Sequence, residues 1–262
     1  MTSAEALRAA AAVGPYFTWE PWSADPDWRP LAALTDGDVL AERVAAARTA
    51  LIGMFGLPED DVPERVIASV TFLGLASRLL SPPLGAVALA GRLPVPRPDQ
   101  LWWRPAPGGP WPIAYAADLA IAAPAAADRA AADGAAAGDF VTGLVDGLVA
   151  PVLRAFRDRF VLSPQVLWGN VASALAGAAG LLAGQRPDRA EAAGRLVERI
   201  LEIPPLAGTG TLVRPDPANA RRFLVRHNCC LYYRIPGGGT CGDCVLTPAQ
   251  DRVRAWQSAA ER

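Results

Sequence analysis

The sequence predicts a mainly α fold with a small β element (α+β): a mostly helical main domain over residues 1–215, then a compact cysteine module over 216–262. Three observations carry this. Apolar residues recur at helical spacing in successive segments up to residue 201. One stretch, 84–115, breaks that pattern with prolines and aromatics about a Pro-Gly-Gly turn. All four cysteines, Cys229, Cys230, Cys241 and Cys244, follow a Gly/Pro-rich hinge at 206–220, and the rest of the 262 residues contains none.

The elements follow in order. An Ala-rich amphipathic helix opens the chain and ends at Gly14-Pro15; Glu5 and Arg8 interrupt any export-signal core. An aromatic linker with Trp19, Trp22 and Trp28 then packs over the body or lines the ligand site. Residues 36–56 read as a helix capped by Asp36 or Asp38, with Val39, Leu40, Val44, Ala47, Leu51 and Ile52 at helical spacing. A second helix runs from Glu64 to Leu80, started by Pro63 and stopped by Pro82-Pro83. The run LPVPRPDQLWWRPAPGGPWPIAY predicts a small hairpin whose prolines keep it at a sheet edge. Residues 116–133 are Ala-rich and broken at Pro124.

Leu144, Leu148, Val152, Phe156 and Phe160 then mark a helix over 140–160, kinked at Pro151. Ser163-Pro164 starts the next helix, which runs uncharged to Gly184. Gln165, Asn170 and Ser173 within it favour a closely packed buried helix over a membrane span. Residues 186–201 form another amphipathic helix. Within the module, 221–226 is a short strand, and a terminal helix begins at Thr247-Pro248 with Trp256 packing back onto the module.

Composition excludes some functions. Alanine supplies much of the 52% hydrophobic content, so that figure does not argue for a membrane protein. A net charge of −1 gives no pull toward nucleic acid. No P-loop or GxGxxG fingerprint is present, so electrons for any redox chemistry arrive from another protein. No partnered His or carboxylate pair marks an acid–base site.

The cysteines are spaced CC-x10-C-x2-C. Their confinement to one stretch argues against use as packing residues. Three readings stand open on the residues alone. Two disulfides would suit a small secreted domain, which this larger chain is not. A four-thiolate zinc site usually takes two CxxC-like knuckles, whereas one half here is a vicinal pair. A [2Fe–2S] cluster needs two thiolates on each iron and accepts varied spacings.

The stretch resembles the C-terminal signature of the FhuF-type ferric-siderophore reductases. Val225-Arg226, Cys229-Cys230, Tyr233-Arg234, Pro236 and Cys241-Gly242-Asp243-Cys244 carry the resemblance, with a weaker one in LWGNVASAL, residues 167–175. His227 departs from the pattern, since many relatives carry Arg there.

The resemblance implies a [2Fe–2S] cluster held by Cys229, Cys230, Cys241 and Cys244. It also implies one-electron reduction of iron in a hydroxamate-type siderophore. The expected setting is cytoplasmic, at the inner face of the membrane beside an importer, with an external electron donor protein. The alternative is a non-catalytic zinc-stabilised module that binds a siderophore or a protein. Arg221, Arg222, Arg226 and Arg234 flank the ligands, either as a solvated rim or as charges that tune the cluster. His227 reads as a surface residue or a donor to a cluster sulfur. Asn170 caps or bridges backbone groups, or binds substrate. Trp102, Trp103, Trp111 and Trp168 are candidate walls for the chelate.

Overall fold

The computed structural model describes residues 1–58, 61–106, 111–122 and 129–260. Eight α-helices are described: α1 Ser3–Ala11, α2 Gly37–Phe55, α3 Glu64–Ala90, α4 Arg129–Phe140, α5 Ala150–Phe160, α6 Pro164–Gln185, α7 Ala190–Leu201 and α8 Ala249–Ala260. The expected mainly α fold with small sheets is what the chain adopts. The α3 and α6 helices pack along each other at the centre, with α1 and α2 against α3 and α7 against α6.

Local chemistry sets most helix ends. Thr2 and Glu5 close a capping box on α1, Asp36 accepts from the Asp38 and Val39 amides at α2, and Ser163 accepts from the Gln165 amide at α6. Gly56 and Gly91 end α2 and α3 in the left-handed conformation.

The α3 helix does not stop at Pro82-Pro83, as the sequence suggests, but continues to Ala90. Proline at 82 removes the amide that would bond the Arg78 carbonyl one turn earlier. The Trp19 indole Nε1 donates to that carbonyl instead, at 2.8 Å. Arg78, itself buried, donates back to the Trp111, Pro15 and Thr18 carbonyls and so staples the aromatic linker to the helix. Trp19→Phe is expected to cost about 1–3 kcal/mol, the penalty of a buried carbonyl left unpaired. Chemical denaturation measures it; an unchanged midpoint would mean that another donor reaches the Arg78 carbonyl.

The helix expected over 140–160 is longer and wound differently. It begins at Arg129 and passes through a π-helical segment, Val141–Val149, immediately before Pro151. The wider winding absorbs the donor that proline lacks. Three helical stretches, Glu64–Ala90, Ala132–Phe160 and Pro164–Gln185, are long and apolar enough to cross a membrane, and most of each apolar window is buried inside the fold.

The β content is slight. Strands β1 (Glu20–Pro21), β2 (Arg29–Pro30), β4 (Leu101–Trp103) and β5 (Ile113–Tyr115) form one sheet in the order β1-β5-β4-β2. The β4–β5 pair is the expected antiparallel hairpin, but it forms the centre of the sheet rather than an edge, because β1 and β2 pair on its outer sides; its Pro-Gly-Gly turn lies outside the described residues, as does the break at Pro124. Strands β3 (Leu93–Val95) and β6 (Ala120–Ala122) pair separately. Trp22 packs at a tilt on Trp102 with centroids 5.0 Å apart, and Trp103 is fully buried and stacks on Trp111 at 5.5 Å. Trp103 is therefore a core residue and no wall for a ligand.

The expected hinge at 206–220 contains strand β7 (Gly210–Val213), which pairs antiparallel with β8 (Phe223–Arg226) in the register Leu212↔Leu224. Leu206, Leu224 and Ile235 belong to the same hydrophobic cluster as the main helices.

Candidate metal centre

Strand alternation aims β8 into the site. Leu224 and Arg226 point inward against α6, as the period of two requires. On α6, Val166, Asn170 and Ser173 fall on one face at helical spacing. The two elements meet through Arg226, which is only 1% exposed. Its guanidinium donates to Ser173 Oγ at 2.8 Å, Asn170 Oδ1 at 2.9 Å, Asn228 Oδ1 at 2.8 Å and the Asn228 carbonyl at 3.2 Å. A planar fork of donors suits such a cage.

The network extends to the cysteine loops. Asn170 Nδ2 donates to the Ser69 carbonyl at 2.9 Å, and Ser69 Oγ on α3 donates to the Cys230 carbonyl at 2.8 Å. Ser173 Oγ donates to Asp243 in the second cysteine turn, and the Arg226 amide donates to the Asp243 carbonyl at 3.2 Å. One buried arginine thus ties α3, α6 and both cysteine loops together. Gly169 makes room for this: a Cβ there would sit 1.9 Å from Asn228 Oδ1.

The expected arginine rim is mostly not a rim. Arg226 is in the interior because β8 alternation turns it toward polar groups on α6. Arg222 crosses the face of Gly194 to reach Glu191 at 3.0 Å. Its hydrogen bond is the main reason the Glu191 carboxyl sits below its ordinary range. Arg221 donates to the Ala259 carbonyl and lies over Phe223, against which Trp256 stacks at 5.4 Å. Of the four, Arg234 alone is exposed. His227 is exposed too, and its ring nitrogens face Thr211 Oγ1 and the Gly208 carbonyl, each at 3.0 Å, so it holds the β7 turn. Asn170 bridges buried groups, and Trp168 packs half-buried against the core.

The cysteines occupy two tight turns. Leu231, in the left-handed conformation after the vicinal pair, aims its amide at Cys229 Sγ, at 3.3 Å. The Leu246 amide reaches Cys244 Sγ at 3.4 Å. Cys230 and Cys244 are buried, and Cys229 and Cys241 are half-buried. Across the turns, Cys230 Sγ and Cys241 Sγ lie 3.5 Å apart. The hydrogen bond between these two sulfurs is the main reason that Cys230 is drawn down to about 6 and Cys241 is pushed up. Burial pushes Cys229 up.

Two ligands ~2.3 Å from one tetrahedral metal stand roughly 3.8 Å apart, so the observed pair fits one iron with little movement. A [2Fe–2S] unit asks for one thiolate pair per iron, and four thiols come from these two turns. The sulfur set therefore fits the two-iron cluster.

A helical body carrying such a cysteine module fits an iron–sulfur protein. A family model described as ferric iron reductase FhuF-like transporter matches residues 92–226, and one described as FhuF 2Fe-2S C-terminal domain matches residues 226–246. The chain belongs to the FhuF-like ferric iron reductase family and carries a [2Fe–2S] cluster. No curated protein matches it. Ser69 lies outside both matched spans and no sequence signal marks it, while the sequence marks Ser173 only as a polar residue of a buried helix and Asp243 only as part of the cysteine signature. A serine at Ser69 spacing reads as any other small residue in a buried helix, and only the fold aims it at the Cys230 carbonyl.

Proposed function

We propose that this chain passes one electron to Fe(III) held in a hydroxamate-type siderophore and so frees Fe(II) for assimilation. The observation that carries the reading is where the cysteine turns lie. Cys229 and Cys241 are half-buried while Tyr233, Val245 and Leu246 beside the ligands are exposed. A bulky chelate can therefore approach the edge of the module without entering a pocket, and electron transfer weakens steeply with distance. The cluster, when bound, supplies a one-electron couple. Cys229, Cys230, Cys241 and Cys244 hold it; Arg226 and Asn170 fix the two turns. Ferrous iron is a softer ion than ferric and binds hard hydroxamate oxygens more weakly, so release needs no bond cleavage in the chelator.

In this reading residues 1–215 support the chelate and the electron donor, and 216–262 carry the cluster. The donor is a separate protein, and the protein works in the cytoplasm at the inner membrane face beside an importer. The burial of most of each of the three apolar helical stretches supports packed helices over membrane spans.

The test uses the full chain purified without oxygen, reduced by dithionite, freed of excess reductant and mixed with a ferric hydroxamate chelate. The expected result is reoxidation of the cluster with about one Fe(II) trapped per cluster by a chromogenic ferrous chelator. A cluster that stays reduced with the chelate, yet is reoxidised at once by ferricyanide, rules the activity out.

Arg234 is the exposed cation near Cys229. Arg234→Gln is expected to make the cluster harder to reduce, on the order of tens of millivolts, because a positive charge favours the added electron. A redox titration checks this, and an unchanged midpoint potential would leave Arg234 a solvated surface residue.

A further inference from the structure

We infer that Cys230 and Cys241 hold one iron of the cluster, that Cys229 and Cys244 hold the other, and that the Cys229/Cys244 iron is the one that takes the electron. This rests on the [2Fe–2S] reading of the module and goes beyond it, because that reading treats the four cysteines as equivalent.

The pairing comes from geometry. The two thiols already at ligand separation, 3.5 Å, come from different turns: Cys230 from the vicinal pair and Cys241 from the Cys-x-x-Cys turn. A vicinal pair sends its side chains apart, and the left-handed Leu231 that follows directs its own amide to Cys229 rather than to Cys230. Cys229 and Cys244 remain, again one from each turn. Each iron is thereby held by both turns. The turns themselves are fixed to one another by the Arg226 network and by the bond from the Arg226 amide to the Asp243 carbonyl.

The two pairs differ in how they receive negative charge. Amide hydrogens directed at sulfur and nearby cations favour the reduced iron, and a nearby carboxylate opposes it. Cys229 takes the Leu231 amide and Cys244 the Leu246 amide. On the other side Cys230 takes one amide, from Tyr232. Two amides on one pair thus face one on the other. Reduction moves one electron from an external donor onto one ferric iron, which becomes ferrous, and breaks no bond.

The experiment is Mössbauer spectroscopy of 57Fe-enriched holoprotein reduced with dithionite. The expected wild-type spectrum is one ferrous and one ferric component. Serine in place of a cysteine exchanges sulfur for oxygen on one iron only. Cys229→Ser and Cys244→Ser are expected to shift the quadrupole splitting of the ferrous component, and Cys230→Ser and Cys241→Ser that of the ferric one. A ferrous shift in Cys230→Ser or Cys241→Ser overturns the assignment of the electron. Cys229→Ser and Cys230→Ser shifting the same component overturns the pairing, and a wild-type spectrum with the electron shared equally overturns the localisation. Where a serine variant does not assemble, wild-type protein labelled with 13Cβ-cysteine decides the same points. Ligands of the two irons then show opposite temperature dependence, and Cys229 and Cys244 are assigned through the Leu231 and Leu246 amides. A wild-type protein without any iron–sulfur spectrum would instead sink the cluster reading on which this one rests.

Discussion

Replacing any one of Cys229, Cys230, Cys241 or Cys244 by alanine is expected to strip the cluster from the purified protein. An iron left with three ligands opens a coordination position to water, and exchange or hydrolysis follows. The visible absorbance should fall to a small fraction of wild type, and iron per chain with it, while the helical circular dichroism persists. Persistence is expected because the ties from the module to the body go through side chains other than the thiols. Ser69 holds the Cys230 carbonyl, and Arg226 holds Asn228 and, through Ser173, Asp243. A native-strength spectrum in Cys229→Ala would remove that residue from the ligand set. A loss of helix with the loss of colour would mean that the cluster, rather than the polar network, joins the module to the body.

Arg226→Ala is expected to destabilise the protein by about 3–5 kcal/mol, the cost of removing one member of a buried charged network. The change strands Asn170 Oδ1 in the interior and takes a donor from the half-buried Asn228 Oδ1, Ser173 Oγ and Asn228 carbonyl. Arg226→Lys should recover only part of this, because one ammonium cannot reach both faces of the cage that the planar fork spans. Chemical denaturation of the holoprotein gives the size of the effect, and cluster content after dialysis reports whether the cysteine turns have loosened. A loss under ~0.5 kcal/mol, the range of ordinary surface substitutions, would mean that the network is not what holds the module. The contrast with Arg234→Gln is itself informative. The interior arginine should change stability and the exposed one chiefly the potential.

Much of the helical architecture is legible in the residues, since capping and periodicity act locally. Asp36, Ser163 and the Thr2–Glu5 pair sit where the helices begin. The misreadings share a cause. Pro82-Pro83 has the local chemistry of a stop, and α3 continues because Trp19, distant in sequence, supplies a hydrogen bond to the carbonyl that proline frees. Residues 206–220 have the composition of a hinge, and Gly210–Val213 becomes a strand because β8 offers it a partner. Arg226 looks like one more basic residue beside the cysteines, yet strand alternation and the polar face of α6 turn it inward.

By itself the sequence determined the mainly α class, the confinement of the thiols to one module and, through the signature around Cys229-Cys230 and Cys241-Gly242-Asp243-Cys244, the family and its cluster. Those are matters of residue type and short-range spacing, which the chain states directly. Only the tertiary structure decided that Cys230 meets Cys241, that Arg226 rather than a surface rim braces the two turns, and that Ser69 and Ser173 take part. Each of these depends on side chains far apart in the chain, and a buried polar group acquires its role only from the partners that burial leaves within its reach.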